Sequence, residues 1–309
     1  VGTDGGGVFR LRAGRFERPR ADWRTLGTVV RAFVEDREGV LWIGAETGLR
    51  GLAPDGREVS APADAARLLG ADAVSALATD SVGTLWVGTW LGGLVRIPSA
   101  RGAEAGAARR ISTADGLASN SVRALTVGPG GVVWSATWGG GLDRVAPDGT
   151  VLPGYRAAES DANRLRAVQV LAGAPEGRRV WAGSMRGLLK VPARVDGGTA
   201  PLATELAGRR ITAVLEDREG LVWVGTYNGG LVRLRRDVVG VIDGRLGLRE
   251  PNVRAVMEDA TGIWIATKGG GLHRLRPDGR MEVFTVADGL LANEVYTLHR
   301  DPHGVVWAG

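Results

Sequence analysis

One tryptophan returns seven times in the same setting, at Trp42, Trp86, Trp134, Trp181, Trp223, Trp264 and Trp307, with successive spacings between 41 and 48 residues. A period of this size predicts one small sheet per unit, stacked around a ring or along a rod. The surrounding phrase repeats with it, as in "EDREGVLWIGAETGL", "TDSVGTLWVGTWLGGL" and "EDREGLVWVGTYNGGL".

Each unit reads as four short strands. Strand A is a β-branched run that ends in a turn, "VVRAFVED" at 29–36 or "SVRALTV" at 121–127. Strand B carries the tryptophan, "VLWIG" at 40–44, and meets strand C through a glycine-ended turn, "TWLGG" at 89–93 or "TYNGG" at 226–230, because a tight hairpin needs positive φ. Pro-Asp-Gly at 54–56, 147–149 and 277–279 then turns the chain into strand D, for example "RMEVFTV" at 280–286. Longer loops such as "ADGLASN" and "ADGLLAN" lead onward. Radial repetition of such sheets is a β-propeller, which hides most strand edges.

The two ends of the chain complement each other. "VGTDGGGVFRL" at the start matches the stretch after the tryptophan in other units, and "HGVVWAG" at the end matches the stretch that leads into it. The expectation is therefore an all-β, seven-bladed propeller of four-stranded antiparallel blades over 1–309, closed by a composite blade from both termini. "VGT" and "WAG" overlap by about two residues, so the seam is not clean. The absence of an initial Met and a final residue inside a strand point to a segment of a longer protein.

The chain has 309 residues, 44% of them hydrophobic, enough for one ring to bury a large core. It has no apolar run near membrane-spanning length and no signal peptide. Zero cysteines exclude disulfides and thiolate chemistry and suit both periplasm and cytosol. The net charge of +5 comes from arginines scattered over all units, lysine occurring only at Lys190 and Lys268, which argues against a nucleic-acid partner. No motif calls for a cofactor or a metal.

The series D-G-L, V-x-A-L, E-D-x-x-G, L-W-[IV]-G-T, G-G-L, seen at 115–125 together with 216–231, resembles the two-component regulator propeller repeat. The resemblance covers nearly the whole chain, although Gly128 and Ala174 replace the tip aspartate in two units. It implies the periplasmic or extracytoplasmic sensor region of an inner-membrane receptor, ahead of a membrane span and a histidine kinase or diguanylate cyclase. It also implies that contact with the membrane runs only through other segments, and that signalling passes through the pairing of two copies in the full-length receptor. The tip also resembles the Asp-box of sialidase-like propellers, but Asp36 stands three residues before Gly39, not two. Asp36, Asp80, Asp217, Asp259 and Asp301 are read as local, bonding turn amides.

Function is sought where the repeat varies. Four residues after each tryptophan stand Glu46, Trp90, Trp138, Met185, Tyr227, Lys268 and, by closure, Asp4. Trp90 and Trp138 fall on adjacent blades and would make a stacking platform for sugar or aromatic rings. A second register, the residue after the first apolar position of strand A, holds Arg31, Ser75, Arg123, Gln169, Thr212, Arg254 and Tyr296. Either its guanidiniums hold carboxylate or sulfate through forked hydrogen bonds, or the polar set merely lines a watered channel.

These registers predict a sensor without chemistry of its own, binding a glycan fragment or other polar, anionic small molecule. Two alternatives remain open. A propeller lyase or glycosidase would need a converging acid and base, for which only Glu46 and Asp4 are placed, His273, His299 and His303 lying elsewhere. A protein-docking scaffold would use the same aromatics as anchors.

Overall fold

The repeated phrase folds as a tight knot around its tryptophan. In the first repeat the Asp36 carboxylate accepts the backbone N–H of Glu38 and Val40 with one oxygen, both at 2.9 Å, and the Trp42 indole N–H with the other at 2.7 Å. Asp80 with Trp86, Asp217 with Trp223 and Asp301 with Trp307 repeat the bond at 3.1, 2.7 and 3.0 Å. The turn between strands A and B is thereby tied to the buried ring of strand B, a role for the aspartate that reaches beyond the turn.

The computed structural model describes residues 2–3, 7–12, 15–17, 29–99, 106–156, 168–173, 179–193, 203–217, 219–235, 238–301 and 305–309. Six antiparallel four-stranded sheets follow in chain order, each with strands A to D adjacent. Blade 1 comprises Val30–Glu35, Leu41–Ala45, Gly48–Leu52 and Glu58–Val59. Blade 2 comprises Val74–Thr79, Leu85–Thr89, Leu94–Ile97 and Arg109–Ile111. Blade 3 comprises Val122–Val127, Val133–Thr137, Gly141–Val145 and Val151–Arg156. Blade 4 comprises Val168–Gly173, Arg179–Ser184, Gly187–Pro192 and Ala203–Glu205. Blade 5 comprises Ile211–Glu216, Val222–Thr226, Leu231–Arg235 and Val238–Ile242. Blade 6 comprises Val253–Asp259, Gly262–Thr267, Leu272–Leu275 and Met281–Phe284.

The expected seven four-stranded blades with a closed composite are corrected here, since six such blades are present among the described residues. The terminal strands form a five-stranded sheet instead, from Gly2–Thr3, Gly7–Arg12, Arg15–Glu17, Val295–Arg300 and Val306–Ala308. Its departure from the repeat has a local cause. Gly309 exchanges backbone hydrogen bonds with Thr297, and Gly2 is registered against the same Thr297. Both chain ends carry the last residues of a strand B and compete for one lane, so that lane is broken and not a copy of the other six.

The contacts divide the chain into two compact units, Ala32–Gly208 and Val1–Arg31 with Arg209–Gly309. Within each, blades stack through strand A of one on strand B of its predecessor. The glycine of the W-x-G phrase permits this, because a β-carbon at Gly44, Gly88 or Gly225 would lie 2.5 Å from Cγ1 of Val74, Val122 or Val253 respectively. The phrase D-G-L has an equally local reason. Ser112 and Asp115, and likewise Thr285 and Asp288, form reciprocal capping boxes on short 3-10 turns, the glycine after each takes the left-handed conformation, and Leu117 and Leu290 plug the blade core.

Blade 1 departs from this plan. Between its strand D and blade 2 lies an α-helix, Ala63–Leu69, which the strand pattern did not predict. Ala65 and Leu69 bury its apolar face, while the Asp64 carboxylate accepts the Ala108 amide at 2.7 Å and Arg110 donates to the Leu68 and Gly92 carbonyls. No helix of the described residues is long and apolar enough to cross a membrane.

Candidate functional site

The polar register of strand A sits on β-bulges. Pairing between strands A and B slips between Val74 and Ala76, Val122 and Ala124, Val168 and Val170, Ile211 and Ala213, and Val253 and Ala255. The extra residues are Ser75, Arg123, Gln169, Thr212 and Arg254. In the terminal sheet Tyr296 occupies the same kind of shift. A bulge withdraws its residue from the ladder and re-aims the side chain. That accounts for one polar residue recurring in an apolar strand.

The register four residues after the tryptophan is clamped to the same strand A. The backbone N–H of Trp90, Trp138, Tyr227 and Lys268 donates to the carbonyl of Ala73, Ser121, Arg210 and Asn252, at 3.1, 2.8, 2.9 and 3.0 Å. Each acceptor lies two residues before the bulge of the same blade. In blades 2, 5 and 6 the threonine hydroxyls of Thr89, Thr226 and Thr267 brace the loop from below, donating to the carbonyls of Gly93, Gly230 and Gly271.

Within the unit Ala32–Gly208 these constraints bring three of the predicted residues together. The Arg123 guanidinium lies 4.1 Å from the centroid of the Trp90 ring and 5.2 Å from that of Trp138. Trp90 comes from the preceding blade and Trp138 from Arg123's own. Trp138 is 43% exposed, Trp90 and Arg123 are half-buried, and Leu91, next to Trp90 in the chain, is 76% exposed. A guanidinium held against aromatic faces keeps its positive charge, and its N–H groups point along the plane of the group and not into the rings. Such an arrangement suits a ligand that offers a flat apolar face and an anionic group.

A different cluster forms in the other unit. Arg254 lies 4.8 Å from the Tyr296 ring and pairs with Glu294 at 3.6 Å, while the Tyr296 hydroxyl donates to the same carboxylate at 3.0 Å. Lys268 is exposed and forms a backbone bridge with Glu294. Tyr227 faces Arg210 at 4.8 Å, and not another predicted residue. Glu46 is exposed at the B-to-C tip of blade 1 and Arg31 is half-buried in strand A. Asp4 lies outside the described residues, and so does His303.

Two members of the polar register are taken up by the scaffold. Ser75 donates its hydroxyl to the carbonyls of Gly88 and Val122 at 3.0 and 2.7 Å, and the Thr212 hydroxyl donates to the Val253 carbonyl, so both stitch one blade to the next. Glu294 and Arg210 belong to neither predicted register. Both stand two residues before the bulge, and that position, read across the units, would have shown them.

His273 and His299 are both held neutral by burial. Burial pushes His273 down to about 4, helped by the neighbouring Arg249 charge, and its Nε2 accepts the Arg249 backbone N–H at 3.2 Å. His299 is likewise held down to about 4 by burial, with Asp301 acting against it. Among the described residues no three His, Asp or Glu side chains converge as a metal site.

Three stretches of the chain, 26–47, 68–91 and 205–228, match the model of the two component regulator propeller family. Those three stretches carry the repeat of that propeller family. Its fold is similar to the extracellular domain assigned to a hybrid two component system of B. thetaiotaomicron, with a TM-score of 0.73 and 17% identity over 92% of this chain and 39% of that one. This chain thus spans well under half of that structure. A streptogramin B lyase is similar with a TM-score of 0.69 and 14% identity over 97% of both chains. Virginiamycin B lyase from Staphylococcus aureus gives 0.67 and 13%, over 90% of this chain and 94% of that one. At such identities the likeness is one of fold. No curated protein sequence matches the chain.

Proposed function

We propose that this propeller is the extracytoplasmic, ligand-binding part of a bacterial signalling receptor. Its ligand is a polar small molecule or glycan fragment with an anionic group, held at the platform of Trp90, Arg123 and Trp138. The observation that carries the reading is the Arg123 guanidinium set between two indoles by a bulge and two clamped loops. Aromatic faces suit sugar rings, and a planar guanidinium suits carboxylate or sulfate. The repeat family and the two component relative support a sensing role and a location outside the cytoplasm. Signal output then belongs to other segments of a receptor, through a shift in how two copies pair.

Calorimetry with acidic and neutral oligosaccharides tests this. A binder is expected that is not turned over. Trp90→Ala with Trp138→Ala should abolish its binding and leave the melt nearly intact, because both side chains sit on loops. Arg123→Ala should weaken acidic ligands more than neutral ones. Turnover of a bound ligand would favour the lyase reading that the shared fold keeps in view, and loss of folding in the double variant would make the indoles part of the core.

A further inference from the structure

In four blades the repeated tryptophan carries a cation on its ring. Arg144 lies over Trp134, Lys190 over Trp181, Arg233 over Trp223 and Arg274 over Trp264, at 4.9 to 5.9 Å from the ring centroid. Each cation stands directly opposite its tryptophan on strand C. Blade 2 keeps the pattern in sequence, with Arg96 opposite Trp86. Blade 1 breaks it, because Gly51 stands opposite Trp42. No cation lies over Trp42 among the described residues.

The space beside Gly51 is taken by Val59 of strand D, and a groove opens elsewhere on the same tryptophan. It has a volume of about 220 Å³ and runs between blades 1 and 2 at their A-to-B tips, inside the unit Ala32–Gly208. Trp42, Leu85 and Ile97 form its apolar floor, and Asp36, Glu38 and Arg37 stand on its rim. Two features of blades 1 and 2 account for the space. Strand D of blade 1 has only two residues, Glu58–Val59. Blade 2 also lacks the Pro-Asp-Gly turn that in blade 3 supplies the Pro147 carbonyl to Arg96 of the blade before it at 2.7 Å. The Arg37 stem lies against the turn at Gly83, 3.4 Å from where a β-carbon there would stand, and forms part of the groove wall.

We propose that this groove binds an organic cation, a guanidinium or primary ammonium head on an apolar stem, with the Trp42 ring as its floor and the Asp36 and Glu38 carboxylates at its mouth. The ligand's cation meets the Trp42 ring from the groove, as strand-C cations meet the tryptophan rings of the other blades from their own side. Aromatic and carboxylate groups together favour a cation that is partly desolvated, and the stem packs on Leu85 and Ile97. The site is independent of the platform at Trp90, Arg123 and Trp138.

The probes are agmatine, for a free amine, and N-acetyl-arginine amide, for an arginine side chain of a partner protein, each titrated by calorimetry. At least one should bind saturably at a single site. Glu38→Gln should weaken it about three- to fivefold, the scale of one exposed charge. Ser60→Trp, or Ser99→Trp as a second blocking variant, fills the groove from its rim and should abolish binding while the melt stays that of the parent. The double change at Trp90 and Trp138 should leave binding as it was. Binding by agmatine alone assigns the site to a free amine, and by the amide alone to a protein side chain. Neither probe binding at millimolar concentration overturns the proposal, as does binding indifferent to both blocking variants or to Glu38→Gln, or 1-pentanol binding as well as the cations.

Discussion

Arg123 and Arg254 occupy the same position in blades 3 and 6, the bulged residue near the start of strand A, and their surroundings put them to opposite uses. Arg123 is held between two indoles, one from its own blade and one from the blade before. Arg254 leans on the Tyr296 phenol and pairs with Glu294. A carboxylate neutralises a guanidinium and uses its N–H groups, whereas an aromatic face stabilises the charge without accepting those N–H groups. The same residue at the same backbone position therefore packs against aromatic rings in one blade and forms an internal ion pair in another. Which of the two it becomes is decided by neighbouring loops.

That comparison presumes one scaffold under both clusters, and the scaffold can be broken first. Trp223→Ala in one unit and Trp86→Ala in the other should each cost about 3 to 5 kcal/mol, through lost packing and a cavity at a ring at most 5% exposed. Denaturant midpoints check this, and an unchanged midpoint for either variant would remove that tryptophan from the core.

Acid should separate the two units next. All three histidines fall in 209–309. For His273 and His299 the folded values of about 4 lie below the ordinary 6.5, so the unfolded chain binds more protons between those limits. Stability is thus complete above pH 6.5 and falls as the pH drops toward 4, by at most about 1.4 kcal/mol per pH unit for each histidine. Hydrogen exchange at pH 7 and pH 5 should show protection lost from the unit holding Arg254 before the unit holding Arg123. His273→Gln should flatten the response, and equal losses in both units would tell against the histidines.

The sharpest test of the two arginines carries the smallest energy. Arg254→Met should destabilise by about 1 to 2 kcal/mol, because it strands the half-buried Glu294 carboxylate, and adding Glu294→Gln should recover much of the loss. Arg123→Met should change the melt by less than about 1 kcal/mol while weakening anionic ligands. A melt that falls equally for both variants would show that the two guanidiniums play one structural part.

Much of this was legible because the repeat is written in residues with single purposes. The tip aspartate, the buried tryptophan and the glycine behind it recur at fixed spacing, and each marks a turn, a core ring and a blade-to-blade contact. Even the unforeseen Asp36 to Trp42 bond had a signal, since the pair keeps the same six-residue spacing at Asp80, Asp217 and Asp301. The platform was legible in part. Trp90, Trp138 and Arg123 were picked by register, but their convergence depends on bulges, and a bulged residue looks in sequence like any polar residue inside a strand. The helix at Ala63–Leu69 was hidden by its length, two turns being too short for a periodic pattern against a background of strands. The five-stranded terminal sheet escaped because two overlapping fragments of one phrase read as halves of a whole.

The bulge also bears on how such a protein can change over generations. A residue that has left the ladder is not one of its backbone-paired positions, so its replacement leaves the pairing on either side intact even where, as at Ser75 and Thr212, the side chain bonds a neighbouring blade. Arginine, serine, glutamine, threonine and tyrosine all occur at this one position within a single chain. Variation at this position is thereby held apart from the pairing that makes the sheet, and new side chains are reachable by single steps that do not first have to pass through an unstable fold.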